Sequence, residues 1–100
     1  MAAYSVLEVT PESQDWIPGY LPTANAAIAR HGGRYLARTT THEVLEGEDG
    51  KVGLRIIIAW PSMDAARAFE NDPEYQPHLQ QRLANSRSFH AVIEGKDDLA

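Results

Sequence analysis

The stretch LRIIIAW, residues 54 to 60, constrains this chain more than any other. Its β-branched residues mark a strand, and alternate side chains of a strand point to opposite faces of a sheet. Leu54, Ile56, Ile58 and Trp60 therefore share one face, and Arg55, Ile57 and Ala59 the other. Both faces carry aliphatic bulk. Residues 4 to 9, YSVLEV, repeat the pattern, with Tyr4 and Val6 opposed to Leu7 and Val9. Such a sheet needs helices over one face and a second cover over the other, and a second copy of the chain is the simplest cover.

The remaining elements fall around these strands. After Thr10-Pro11, the residues Ile17, Leu21, Ala24 and Ile28 form an apolar stripe at helical spacing. Pro18 and Pro22 predict a turn over residues 13 to 17 and a helix with Pro22 near its first position. His31 falls in its last turn, beside the helix C-terminus, and Gly32 is expected to end it in a left-handed conformation. From Arg34 the chain reads as β through Glu46, with a bend at threonines 39 to 41, and Asp49-Gly50 supplies a tight turn. Ser62 is the N-cap of a second helix with Asp64 in its first turn and Met63, Ala66 and Phe69 facing inward. Asn71-Asp72-Pro73 breaks it, and Tyr75, Leu79 and Leu83 continue a helical stripe. SFHAVIEG, residues 88 to 95, is the last strand.

The order β-α-β-β-α-β predicts an α+β, ferredoxin-like sandwich over residues 1 to 100 as one domain, with a four-stranded antiparallel sheet and helices on one face. Nine Lys and Arg against 14 Asp and Glu give a net charge of −5 without a basic block. That argues against nucleic acid, whose phosphates call for a basic face. No apolar run approaches the ~20 residues that span a bilayer, and the N-terminus does not read as a secretory signal, so a cytoplasmic protein is expected. Without cysteine there is no disulfide, thiolate nucleophile or Cys-based zinc site.

The blocks GGRYLAR, EVLEG, a strand ending in WPS, AARAFENDPEYQ and a closing VIEG resemble the family catalogued as domain of unknown function 1330, over Tyr4 to Gly95. That resemblance implies a dimeric α/β barrel, in which two ferredoxin-like sheets pack face to face. The superfamily includes cofactor-free monooxygenases, small isomerases and haem proteins similar to chlorite dismutase. Two features depart from the family pattern: threonines 39 to 41 stand where glycine is usual after the second arginine, and the first helix carries two prolines.

Strand parity sorts the candidate site residues. Arg34, Leu36 and Arg38 are expected on one face, and His90, Val92 and Glu94 share a face of the last strand. Arg38, Arg55 and His90, converging on the barrel side, would line a cationic pocket for a small carboxylated or enolic anion. Arg34 and Arg82 are further candidate ligands of that anion. Trp60, with Trp16 and Tyr20, would supply an aromatic wall, and His90 or Tyr75 would move a proton. The competing reading is ion pairing of Arg38 with Glu43, of Arg55 with Glu46 or Glu94, and of Arg82 with Glu74 or Glu94. His31, His42, His78 and His90 show no ligand spacing, so neither a metal nor another cofactor is expected. The function that follows is a cofactor-independent enzyme or binder for a small organic anion. The alternative is a structural or ligand-binding homodimer whose charges are internally paired.

Overall fold

The computed structural model describes residues 1–48 and 50–100. The turn expected at Asp49-Gly50 lies half outside them, although Gly50 does have a positive φ of 61°. Four strands, β1 (Ala3–Pro11), β2 (Arg34–Thr39), β3 (Leu54–Trp60) and β4 (Ser86–Glu94), form one antiparallel sheet in the order β2-β3-β1-β4. Helices α1 (Ile17–Arg30), α2 (Met63–Glu70) and α3 (Gln76–Ala84) cover one face. This is the ferredoxin-like α+β sandwich. β1 shows its origin: Ala3, Ser5, Leu7 and Val9 are buried under the helices, and the residues between them are half exposed.

The core joins that face of β1 to Ile56, Ile58 and Trp60 of β3 and to Ala24, Ala27, Ile28, Ala66, Phe69, Tyr75 and Leu79 of the helices. Each large aliphatic side chain buried here contributes roughly 1.5–3 kcal/mol. An aromatic row runs through it, with ring centroids 5.3 Å apart for Trp60–Phe69, 4.4 Å for Phe69–Tyr75, 5.9 Å for Tyr75–Tyr20 and 5.2 Å for Tyr20–Trp16.

Several local expectations are met. Gly32, at φ +79°, ends α1, and Gly32 N–H to Ala29 C=O together with Gly33 N–H to Ile28 C=O make a Schellman cap. Gly33 is required for a second reason. A Cβ there would lie 2.6 Å from Cζ3 of Trp60 and 2.9 Å from Cγ2 of Ile28. Ser62 Oγ accepts the Ala65 N–H at 3.1 Å and caps α2.

Four details differ from the sequence-based expectation. α1 begins at Ile17, so Pro18 occupies the first turn and Pro22 lies inside the helix. The first-turn position of Pro18 costs no hydrogen bond, and the packing of Tyr20, Ala24 and Ile28 on the sheet carries the helix past Pro22. β2 ends at Thr39, and the described residues from Thr40 to Gly53 form no strand. β1 continues through Thr10-Pro11, because Pro11 pairs only with Ser86, beyond the end of β3. On α3 the inward residues are Leu79 and Arg82, while Leu83 is 49% exposed. The helix therefore turns its i,i+3 side to the sheet rather than the i,i+4 stripe through Leu83.

Candidate functional site

A β-bulge in β2 shapes the site. Tyr35 pairs with Ile58 and Ala37 with the next residue, Ile57, so Leu36 is an extra residue in β2. The bulge reverses parity within the strand. Arg34, opposite Ala59, stays on the open face, whereas Arg38, opposite Ile56, moves to the helix face with Tyr35. The expectation that Arg34, Leu36 and Arg38 share a face is thus corrected. There Arg38 stacks on Tyr35, with Cζ 3.9 Å from the ring centroid, and donates from Nη1 to Asn25 Oδ1 at 2.9 Å. Tyr35 donates to the same Asn25 oxygen at 3.1 Å.

Between sheet and helices lies a cavity of about 80 Å³. A water needs roughly 10–15 Å³ on this measure, so the cavity holds about half a dozen water-sized positions, the scale of a small organic acid. Apolar residues of β1 and β3 floor it, Trp16, Ile17 and Leu21 flank it, and its polar groups are Tyr20, Tyr35, Tyr75, Arg38 and Arg82. Tyr20 and Tyr75 hydrogen-bond through their hydroxyls at 2.7 Å. Arg82 is 2% exposed, and its Nε and Nη1 have no hydrogen-bond partner among the described residues. Its Cζ lies 6.0 Å from the Tyr20 ring centroid.

Burial sets the charge state of this wall. Desolvation pushes the Tyr20 hydroxyl far above the usual phenol range, with the neighbouring Tyr75 adding to the effect and Arg82 opposing it. Tyr75 is raised chiefly by burial, against the pull of Arg82, and Tyr35 by burial against the pull of Arg38. The phenols are neutral at physiological pH, and the arginines are permanent cations. The cavity therefore offers N–H and O–H donors and positive charge without a carboxylate in its wall.

The other candidate residues lie elsewhere. Arg55 is on the open face opposite Glu8, with Nη2 3.6 Å from Oε2, so Glu8 is a carboxylate partner not expected from the sequence. Glu94 engages Lys96, Glu74 lies near Arg30, and Arg38 is held by Asn25 rather than Glu43. His90 is on the helix face, outside the cavity wall, with Nε2 2.7 Å from Ser5 Oγ and Nδ1 3.2 Å from Glu70 Oε2. The convergence of Arg38, Arg55 and His90 on the barrel side does not occur. Trp60 is a core residue at 2% exposure that donates to Ser5 Oγ at 2.7 Å and borders a shallow groove with Arg34, away from Trp16 and Tyr20. His31 caps the end of α1 as expected, and its side chain also meets Asp72 across the fold, Nε2 to Oδ2 at 2.8 Å, beside an Arg30–Asp72 pair at 2.7 Å.

Sequence reasoning brought Arg38, Tyr75 and Arg82 into consideration but missed Asn25, Ser5 and Glu70. Glu70, four residues after the inward Ala66, carried a helical-spacing signal. Asn25 carried none, because its role depends on the bulge in β2.

This fold and cavity define a small ferredoxin-like α+β protein with a mainly apolar pocket under its helices, into whose wall two arginines and three tyrosines are built. The chain belongs to the family described as Domain of unknown function (DUF1330), whose model matches residues 2–96. The RPA0582 protein of unknown function from Rhodopseudomonas palustris superposes with a TM-score of 0.75 at 18% identity, over 96% of this chain and 83% of that one. SnoaB, a cofactor-independent oxygenase from Streptomyces nogalater, gives a TM-score of 0.64 at 22% identity, over 98% of this chain and 96% of its own. A dimeric ferredoxin-like protein of unknown function from Jannaschia sp. gives 0.62 at 13% identity, over 94% and 99% of the two chains. No functionally curated protein matches. Among the described residues, no helix is long and apolar enough to cross a membrane.

Proposed function

We propose that this protein binds a small organic anion, a carboxylate or an enolate, in the cavity between sheet and helices, and that it acts there without a cofactor. The observation that carries the reading is Arg82: a buried guanidinium with two nitrogens unpartnered, on the wall of a mainly apolar cavity with no carboxylate among its described residues. A buried cation is costly unless something pairs with it, and a bound anion would supply that pair. Tyr20 and Tyr75 offer neutral hydroxyls to the same ligand, and Arg38 guards the rim, held by Tyr35 and Asn25.

Such a wall stabilises negative charge developing on an oxygen, which favours enolisation of a bound carbonyl acid, its carbon-bound proton passing to water because the described residues of the wall include no base. The resemblance in fold to a cofactor-independent oxygenase agrees with an enzyme of this kind. The protein is further proposed to work as a homodimer through its open sheet face, where Ile57, Phe89 and Ile93 are 40%, 57% and 53% exposed. Each protomer would then keep its own cavity on the opposite side.

Calorimetry with pyruvate, a small enolisable carboxylate, tests binding, and loss of its methyl proton signal in D2O tests enolisation. The wild type should bind, and Arg82→Met should lose affinity by tenfold or more. Equal behaviour of the two would overturn the assignment. Binding without faster exchange would leave a binder and remove the enzyme.

A further inference from the structure

One polar cluster remains outside the cavity wall. On the helix face of the sheet, Trp60 Nε1 donates to Ser5 Oγ, Ser5 Oγ lies 2.7 Å from His90 Nε2, and His90 Nδ1 lies 3.2 Å from Glu70 Oε2. An indole N–H only donates, so Ser5 accepts that bond and has its own proton to give to Nε2. The neutral imidazole then carries its proton on Nδ1, toward Glu70. When the imidazole gains a second proton, Ser5 Oγ accepts from both neighbours, which its two lone pairs allow.

We propose that an anion entering the cavity beside Arg82 is taken up together with a proton, and that the Glu70–His90 pair holds that proton. This rests on the cavity being the anion site. Glu70 links the two regions: its carboxylate lies against His90 and lines the outer groove, and the preceding residue, Phe69, lines the cavity. Its carboxyl is held below the usual range first by His90, against the opposing effect of burial, and in part by Arg82. An anion beside Arg82 cancels part of that cation's field and adds negative charge to a weakly solvated interior. The response must come from a group that can gain a proton near neutral pH.

The surrounding groups leave one choice. Arg38 and Arg82 are already charged, and the hydroxyls of Tyr20, Tyr35 and Tyr75 are already protonated. Facing the pair are Ser5 from β1, Trp60 from β3, Arg67 from α2 and Arg82 from α3, while the same-face neighbours of His90 on β4, Ser88 and Val92, are uncharged. Arg67 is engaged by Asp64 at 2.7 Å. A groove of about 190 Å³, formed by Ala66, Arg67, Glu70, His90 and Val92, opens the pair to solvent and gives the proton its route.

The test is calorimetry of pyruvate binding at pH 7 in buffers of low and high ionisation enthalpy, on the wild type, His90→Gln and Glu70→Gln. In the wild type the heat should vary with buffer in the sense of proton uptake. Affinity should rise as pH falls, by up to about tenfold per unit for uptake of one proton. Both variants should bind pyruvate with that variation lost. Buffer-independent binding by the wild type, or uptake that survives both substitutions, overturns the inference and leaves the cavity reading intact. Absence of wild-type binding overturns both. Should the variants fail to fold, the imidazole nitrogen shifts of His90 in the wild type decide. Their titration midpoint should rise at saturating pyruvate, and an unmoved midpoint overturns the proposal.

Discussion

Arg34 and Arg38, four residues apart on one strand, lie on opposite faces of the sheet, because Leu36 is accommodated as an extra residue between them. The two cations therefore belong to different environments. Arg38 is at the cavity rim on the helix face, and Arg34 is beside Ala59 on the open face.

The two should respond differently to the same substitution. Arg38→Met should weaken pyruvate binding by roughly fivefold, the scale of about 1 kcal/mol for an exposed charge pair. Arg34→Met should leave it unchanged. Equal effects in calorimetry would mean that the bulge does not separate them in solution.

Arg82→Met should remove anion binding and lower stability by about 1–3 kcal/mol, because Tyr75 and Glu70 favour the charge of the guanidinium in the fold and Glu70 would lose a cation. Urea unfolding without ligand measures it. A gain of stability would show that the two unpartnered nitrogens of Arg82 cost more than those neighbours return.

Gly33→Ala should destabilise by about 1–3 kcal/mol, the usual cost of overpacking. The new methyl would meet the Trp60 ring, which is itself packed on Phe69. The midpoint of denaturant unfolding should fall, and near-ultraviolet dichroism of Trp60 should change with it.

Acid should weaken the tie between α1 and the α2–α3 turn. Asp72 accepts from Arg30, His31 and the Glu74 N–H, and these bonds, Arg30 first and His31 second, hold its carboxyl well below the usual range. A carboxyl depressed in the folded state contributes stability that is fully present above its unfolded pKa of about 3.9 and is lost as pH falls through the folded value. Unfolding free energy should therefore drop below about pH 4, and Asp72→Asn should be less stable at pH 6 and show a shallower acid limb.

On the open face, Phe89→Lys combined with Ile93→Lys should convert the proposed dimer to monomer in light scattering and leave the fold intact, since both side chains are more than half exposed in the single chain. A wild-type monomer would remove the sheet-to-sheet association.

Much of the fold was legible along the chain. Alternation in residues 4 to 9 and 54 to 60, the Gly32-Gly33 stop after α1 and the Ser62 cap are local signals, set by dihedral preferences and the period of one element. The membership of Arg82 in the core was not legible in that way. Leu79 and Leu83 make the better apolar stripe, and only the seating of α3 on the sheet turned Arg82 inward and Leu83 out. Ser5 and Glu70 came into view as partners of His90 only once the first and last strands were neighbours.

The opposed faces of Arg34 and Arg38 mark the same boundary. Residue types and their spacing were enough to establish the ferredoxin-like sandwich, because each strand and helix must bury one side whatever its neighbours are. They did not locate the bulge at Leu36, since an extra residue in a strand is fixed by cross-strand register and by the packing of Tyr35 and Arg38 against α1 through Asn25. Tertiary contact alone decided which cations look into the cavity and which look out.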